Sequence, residues 1–110
     1  MNRMPMSPNS AALLRALIAR AGVTRDRILL IDAKATDWRS LTFNGERHEL
    51  QLRVSGPSSG EVVARMCDGL EESEIDIPGA IVADIKVVGV EPTADGSSEI
   101  VVEALTVAAD

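Results

Sequence analysis

The chain has 110 residues, of which 45% are hydrophobic and 25% charged, and its formal net charge is −6 at pH 7. These fractions are typical of one soluble globular domain, and the acidic balance argues against nucleic-acid binding because acidic surfaces repel phosphate backbones. The single cysteine excludes an internal disulfide and a cysteine-rich metal site, and no apolar run has the length of a membrane span.

The N-terminal part of the sequence predicts a flexible tail followed by a helix. Residues 1–8 hold three Met and two Pro without periodicity, so we expect a loosely attached tail before one domain over residues 9–110. A helix over about residues 10–21 follows, because apolar residues recur at helical spacing and Gly22 is a common helix end. The apolar positions are Leu13, Leu14, Leu17, Ile18 and Ala21.

The next segment predicts β-structure that ends in a hairpin. Residues 27–35 are rich in branched aliphatic side chains and predict a strand. Asn44-Gly45 is typical of a tight turn, here between the extended stretch that ends at Phe43 and residues 48–54. Leu50, Leu52 and Val54 alternate with polar residues, which indicates one buried and one solvated face.

A second helix is predicted after residue 57. Ser58 and Glu61 have the spacing of a capping box, and the helix is expected to end near Gly69. Its apolar side would consist of Val62, Val63, Met66, Cys67 and Leu70.

The C-terminal third predicts an acidic loop and a second hairpin. Residues 71–79 are acidic and end in Pro78-Gly79. Residues 80–91 and 98–108 predict two strands, joined by a turn at Asp95-Gly96.

This order of elements predicts an α+β two-layer sandwich. Helix, strand, strand, helix, strand, strand would give a four-stranded antiparallel sheet with both helices on one face. Moving the first strand of the ferredoxin-like order to the end gives the same sequence of elements. We therefore expect a circularly permuted ferredoxin-like fold, which implies no function by itself.

The only Trp, Trp38, is expected on the sheet face that is turned away from the helices. If Leu41 and Phe43 point into the core with Leu50, alternation places Trp38 on the other face, beside Gln51 and Arg53. The alternative is a bulge or loop near residues 37–40, which would turn Trp38 into the core.

The last two strands carry branched aliphatic residues on both faces. With Ile85 and Ile100 pointing inward, several aliphatic side chains point outward. An apolar face of this kind on a small protein indicates an interface, and a second copy covers it with two-fold symmetry. The predicted interface consists of Trp38, Val82, Val88, Val90, Val101, Leu105 and Val107.

The residues of catalytic type lack a recognisable arrangement. His48 has acidic neighbours but no nucleophile placed beside it by a motif, so we expect a structural or solvated role. Cys67 lies among apolar residues, where burial makes a thiol unreactive. The acids of residues 71–76 lack the spacing and turn glycine of a calcium loop. No cofactor and no metal are expected.

The function that these observations favour is a cytoplasmic, non-catalytic module that forms a homodimer or binds a protein partner, with no nucleic acid and no membrane. The alternative is a small-ligand-binding protein or small enzyme with a site between facing sheets. Its apolar wall would be Trp38, and its polar contacts would be Arg39, His48 and Arg53.

Overall fold

The computed structural model describes residues 6–109, which contain two helices and five strands. Residues 1–5 of the predicted tail lie outside it. Short 3-10 turns occur at Arg25–Arg27 and Leu70–Glu72. The elements in chain order are α1 (Pro8–Ala21), β1 (Ile28–Arg39), β2 (Asn44–Val54), α2 (Ser59–Cys67), β3 (Asp76–Ile77), β4 (Ala80–Pro92) and β5 (Ser98–Ala108).

The strands form one antiparallel sheet in the order β1-β2-β5-β4-β3. The fold is therefore α+β, as predicted, with one strand more than the four expected. The additional strand is β3, in which Asp76 and Ile77 pair with Ile81 and Ala80. This pairing is possible because Gly79 has a φ of 75°, a left-handed conformation that glycine adopts without strain and that closes the tight turn.

Both helices begin differently from the prediction. The N-cap of α1 is Ser7, whose side chain accepts a hydrogen bond from the Ser10 backbone N–H, so the helix begins earlier, at Pro8. The predicted capping box of α2 does not form, since Ser58 makes no side-chain cap bond and has a φ of 61°. The neighbouring Ser59 instead bonds to the Gly96 carbonyl oxygen at 2.7 Å, which fixes the start of α2 on the β4–β5 turn.

The core is aliphatic and lies between the helices and one face of the sheet. Alternate residues of β2 and β5 are buried while their neighbours in sequence are half-buried or exposed. Both helices contribute to the same cluster, so they share one face of the sheet. The buried members include Leu13, Leu17, Leu50, Leu52, Val54, Val62, Val63, Met66, Ile100, Val102 and Ala104.

The first hairpin turns earlier than predicted. Residues 40–43 form the turn: the Ser40 backbone N–H bonds to the Phe43 carbonyl oxygen, and the Ser40 hydroxyl accepts from the Phe43 N–H at 3.0 Å. Asn44 and Gly45 are the first residues of β2. Leu41 and Phe43 are both exposed, so the prediction that they enter the core is wrong.

Gly45 is required because two strands approach each other closely at its Cα. A Cβ at this position would lie 2.1 Å from the Thr106 carbonyl oxygen and 3.3 Å from Cε3 of Trp38. The glycine therefore serves the contact between β2 and β5, and not a turn.

Replacing Gly45 with Ala is expected to lower the free energy of unfolding by about 1–3 kcal/mol, because β2 and β5 must move apart to admit the methyl group. Urea unfolding measures the effect.

Gly60→Ala is the matched control. It lies in α2 and its Cβ would meet no atom within 4 Å, so alanine is expected to be neutral or to stabilise the helix by up to about 1 kcal/mol. Equal stability of the two variants would contradict the close approach at Gly45.

Candidate functional site: the outer face of the sheet

The face of the sheet that is turned away from the helices, here called the outer face, consists of five rows across the four long strands. The pairing registers fix which residues share a row, since directly paired residues point to the same side. In the order β1-β2-β5-β4, the rows are Trp38–Gly45–Val107–Ile81, Thr36–Arg47–Leu105–Asp84, Lys34–Glu49–Glu103–Lys86, Asp32–Gln51–Val101–Gly89 and Leu29–Arg53–Glu99–Glu91.

Trp38 lies on the outer face, half-buried, in the row that is apolar throughout. Its paired residue is Gly45, not Gln51 or Arg53, which lie further along β2. The indole packs over the glycine because no Cβ stands between them. The alternative of a core Trp38 is wrong. An irregularity does occur in β1, but it lies at Ile31, between Leu30 and Asp32.

The outer face contains part of the predicted interface. Trp38, Val101, Leu105 and Val107 lie on it, each partly exposed. Ile81, 59% exposed, also belongs to it and was not predicted.

The predicted residues of β4 do not lie together on this face. Val82 pairs with buried Thr106 and packs against the core. Val90 pairs with buried Ile100 and points to the helix side, where it is 50% exposed. Val88 lies in a register shift. Two such shifts, between Val82/Asp84 and Val87/Gly89, change the alternation of β4 in a way that its sequence pattern does not reveal.

Charged residues occupy the middle and one end of the outer face. Arg53 Nη2 lies 2.6 Å from Glu99 Oε2, and this hydrogen bond raises the pKa of the arginine further above its ordinary value. Lys34 Nζ lies 4.0 Å from Glu49 Oε2. The apolar residues are therefore concentrated at the Trp38 end and along β5.

A hollow of about 330 Å³ opens beside the Trp38 end of the sheet. Phe43, Ile81 and Val107 form its apolar lining, and Thr42, Asn44, Ala108 and Ala109 complete it. It extends the exposed apolar surface of the outer face towards the hairpin turn.

His48 lies on the opposite side of the sheet, in the core. Its Nδ1 is 2.7 Å from Ser10 Oγ, its Nε2 is 2.9 Å from Thr106 Oγ1, and the side chain is fully buried. Burial lowers the pKa of this imidazole below its ordinary 6.5, and the carboxylate of Glu46 opposes the shift only in part.

The hydrogen bonds around His48 continue beyond its two partners. Thr106 Oγ1 lies 3.5 Å from the Glu46 carbonyl oxygen, and the Ser10 hydroxyl accepts from the Ser7 hydroxyl. Every polar atom of the imidazole is used, which makes His48 a structural residue.

The four residues of the predicted ligand site are not brought together. Trp38 and Arg53 share the outer face but lie at opposite ends of it. Arg39 pairs with Asn44, one position beyond Trp38 and therefore on the other side of the strand. His48 is enclosed in the core.

The remaining candidates form no site among residues 6–109. Cys67 is half-buried, and burial raises the pKa of its thiol, although Arg20 acts in the opposite direction. In this part of the chain no three His, Cys, Asp or Glu side chains are grouped so that they could hold a metal ion.

Comparison with known proteins gives no match, either with a family model or with a curated protein. No helix among the described residues has the length and apolar character needed to cross a membrane.

The enclosed imidazole predicts a pH dependence of stability. The pKa of His48 is lowered in the folded state, so below about pH 6.5 the unfolded chain binds a proton that the folded chain does not. The free energy of unfolding is expected to fall as the pH decreases from 6.5, by at most about 1.4 kcal/mol per pH unit.

Urea unfolding between pH 7.5 and 5 tests this expectation, with His48→Gln as the comparison. The variant is expected to be less stable at pH 7.5 but to lose less stability on acidification. The same pH dependence in both proteins would show that another group titrates.

Proposed function

We propose that the protein is a non-catalytic interaction module that self-associates through the outer face of its sheet. The observation that supports this most is the apolar content of a face without cover among the described residues. Leu105 and Val107 are adjacent on the central strand β5, with Trp38 and Ile81 in the row of Val107, and Val101 lies beyond Glu103 on the same face. A group of neighbouring apolar side chains that remain partly exposed on a small domain favours an interface.

Several apolar side chains of the outer face are incompletely buried. Ile81 is 59% exposed, and the three residues of β5 and Trp38 are partly exposed. Burial contributes about 25 cal/mol for each Å² of apolar surface removed from water. Stacking this face on that of a second copy covers all of these side chains at once, because a two-fold axis presents the same surface from both sides.

The position of the histidine supports a binding role over a chemical one. The one histidine is enclosed on the other side of the sheet, with both ring nitrogens bonded to Ser10 and Thr106. We therefore propose a module without a cofactor that acts in the cytoplasm, a location that the single cysteine suits.

We also propose that the fold is a circularly permuted ferredoxin-like sandwich. The observation in favour is the strand order. Without the two-residue β3, the sheet order is β1-β2-β5-β4, and the elements follow one another as helix, strand, strand, helix, strand, strand. Placing β5 before α1 gives the ferredoxin-like order of elements.

Val101→Glu is expected to weaken self-association by at least tenfold, because a dry contact would have to bury a carboxylate. Sedimentation velocity over a range of protein concentrations gives the dissociation constant. Trp38, the only tryptophan, adds a fluorescence signal, since covering its exposed part shifts its emission.

Ala64→Glu is the control, because it adds the same charge at an exposed position of α2 on the opposite side of the molecule. Circular dichroism verifies that both variants fold, and Trp38→Ala gives a second test without an added charge. A wild-type protein that is monomeric at all concentrations would contradict the proposed function.

A further inference from the structure

The charges on β2 and β4 are opposite in sign, row by row, on the two sides of β5. Arg47 shares a row with Asp84, Glu49 with Lys86, and Arg53 with Glu91. The two remaining pairs, Gln51 with Gly89 and Gly45 with Ile81, are uncharged in both members. The two strands therefore carry complementary charge patterns along the outer face.

This complementarity serves little purpose within one protomer. The two strands are separated by β5, and two strand spacings are about 10 Å. Arg47, Asp84, Lys86 and Glu91 make no ion pair with any described residue. Of the six charged residues in these pairs, only two have a partner within residues 6–109: Glu49 pairs with Lys34, and Arg53 pairs with Glu99.

We infer that the outer face receives a second copy of the chain about a two-fold axis that runs along β5, midway between the two sheets. This inference rests on the proposed self-association and specifies its geometry. Rotation by 180° about such an axis places each row of one copy over the same row of the other copy. It also exchanges the strands on the two sides of β5. It therefore places β2 of one copy over β4 of the other.

In this arrangement the opposite charges meet. Arg47 lies over Asp84 of the second copy, Glu49 over Lys86 and Arg53 over Glu91, and symmetry makes each contact twice. Aligned sheets cross at about 30°, a deviation that long charged side chains can follow near the crossing point.

The residues of β5 itself meet their own counterparts along the axis. Val101, Leu105 and Val107 form the apolar centre. Glu103 also lies on the axis, but Lys86 stands beside it in the same row, and Glu99 is paired with Arg53. The axis places β1 over β3 of the second copy, so Trp38 lies at the edge of the contact, over Asp76, which shares the row of Ile81.

Neighbouring axes place like charges together. An axis between β2 and β5 would place Lys34 over Lys86 and Glu49 over Glu103. An axis along β2 would place Arg47 and Glu49 over their own counterparts. The axis along β5 also sets Glu103 and Glu99 against their own counterparts, but of these three axes it alone brings the three oppositely charged pairs of β2 and β4 together. Like charges in contact oppose association, so the charges of β2 and β4 favour this axis over its two neighbours.

Reversing one member of the Arg47–Asp84 pair tests the arrangement. Arg47→Asp and Asp84→Arg are each expected to raise the dissociation constant of the homodimer at least tenfold at low salt, since each creates two like-charge contacts. The double variant, Arg47→Asp with Asp84→Arg, is expected to return to within about threefold of the wild type.

The two single variants are also expected to bind each other. One copy then carries two acids at these positions and the other two arginines, so both contacts are attractive in the mixed dimer. Sedimentation of the equimolar mixture should show dimer at concentrations where each variant alone is monomeric. Arg15→Asp is the control, because it makes the same change of charge on the exposed side of α1. It is expected neither to weaken the homodimer nor to form a mixed dimer with Asp84→Arg at concentrations where that variant alone is monomeric.

The outcomes separate the two levels of the proposal. A monomeric wild-type protein overturns both the self-association and its geometry. The axis along β5 is overturned if the wild type is a dimer and either single variant still dimerises with the same dissociation constant. It is also overturned if neither the double variant nor the mixture of the two single variants dimerises. Both results would leave another mode of association on the outer face.

Discussion

The strict alternation of β5 is the constraint on which the rest of the structure depends. Its even-numbered residues, from Ser98 to Thr106, are buried under the helices, while its odd-numbered residues include Val101, Leu105 and Val107 on the outer face. A single layer of helices covers one side of a sheet only. The central strand thus also carries three aliphatic side chains on the side that the helices do not cover, together with Glu99 and Glu103.

The elements with regular patterns could be predicted from the sequence. The C-terminal end of α1 and the inward residues of β2 and β5 follow from periodicity alone, because nothing interrupts the pattern there. Trp38 does lie on the outer face, but the prediction rested on Leu41 and Phe43 entering the core, which is wrong. In β4 two register shifts intervene, and the inward set becomes Val82, Ile85 and Val87. A bulge adds one residue without any change in composition, so period-two reasoning assigns the residues beyond it to the wrong side.

The environment of His48 was only partly predictable. Its number has the same parity as Leu50, Leu52 and Val54, a signal that it points into the core. Its partners could not be predicted, because Ser10 and Thr106 are 38 and 58 residues away in the chain. Similarly, Asn44-Gly45 is a strong turn signal, yet the glycine is explained by a close contact with β5, which local sequence does not show.

Apolar and charged residues on the outer face have different consequences for association. The aliphatic side chains of β5 supply a driving force that has no direction, because hydrophobic burial depends on area and not on register. The charges on β2 and β4 add little affinity where water can reach them, but they distinguish one superposition of the two sheets from its neighbours. A face of this composition remains compatible with water when it is exposed, and in the proposed dimer its charges favour one register of the second copy. Reversible self-association, which depends on protein concentration and ionic strength, is the behaviour that this division between apolar and charged residues favours.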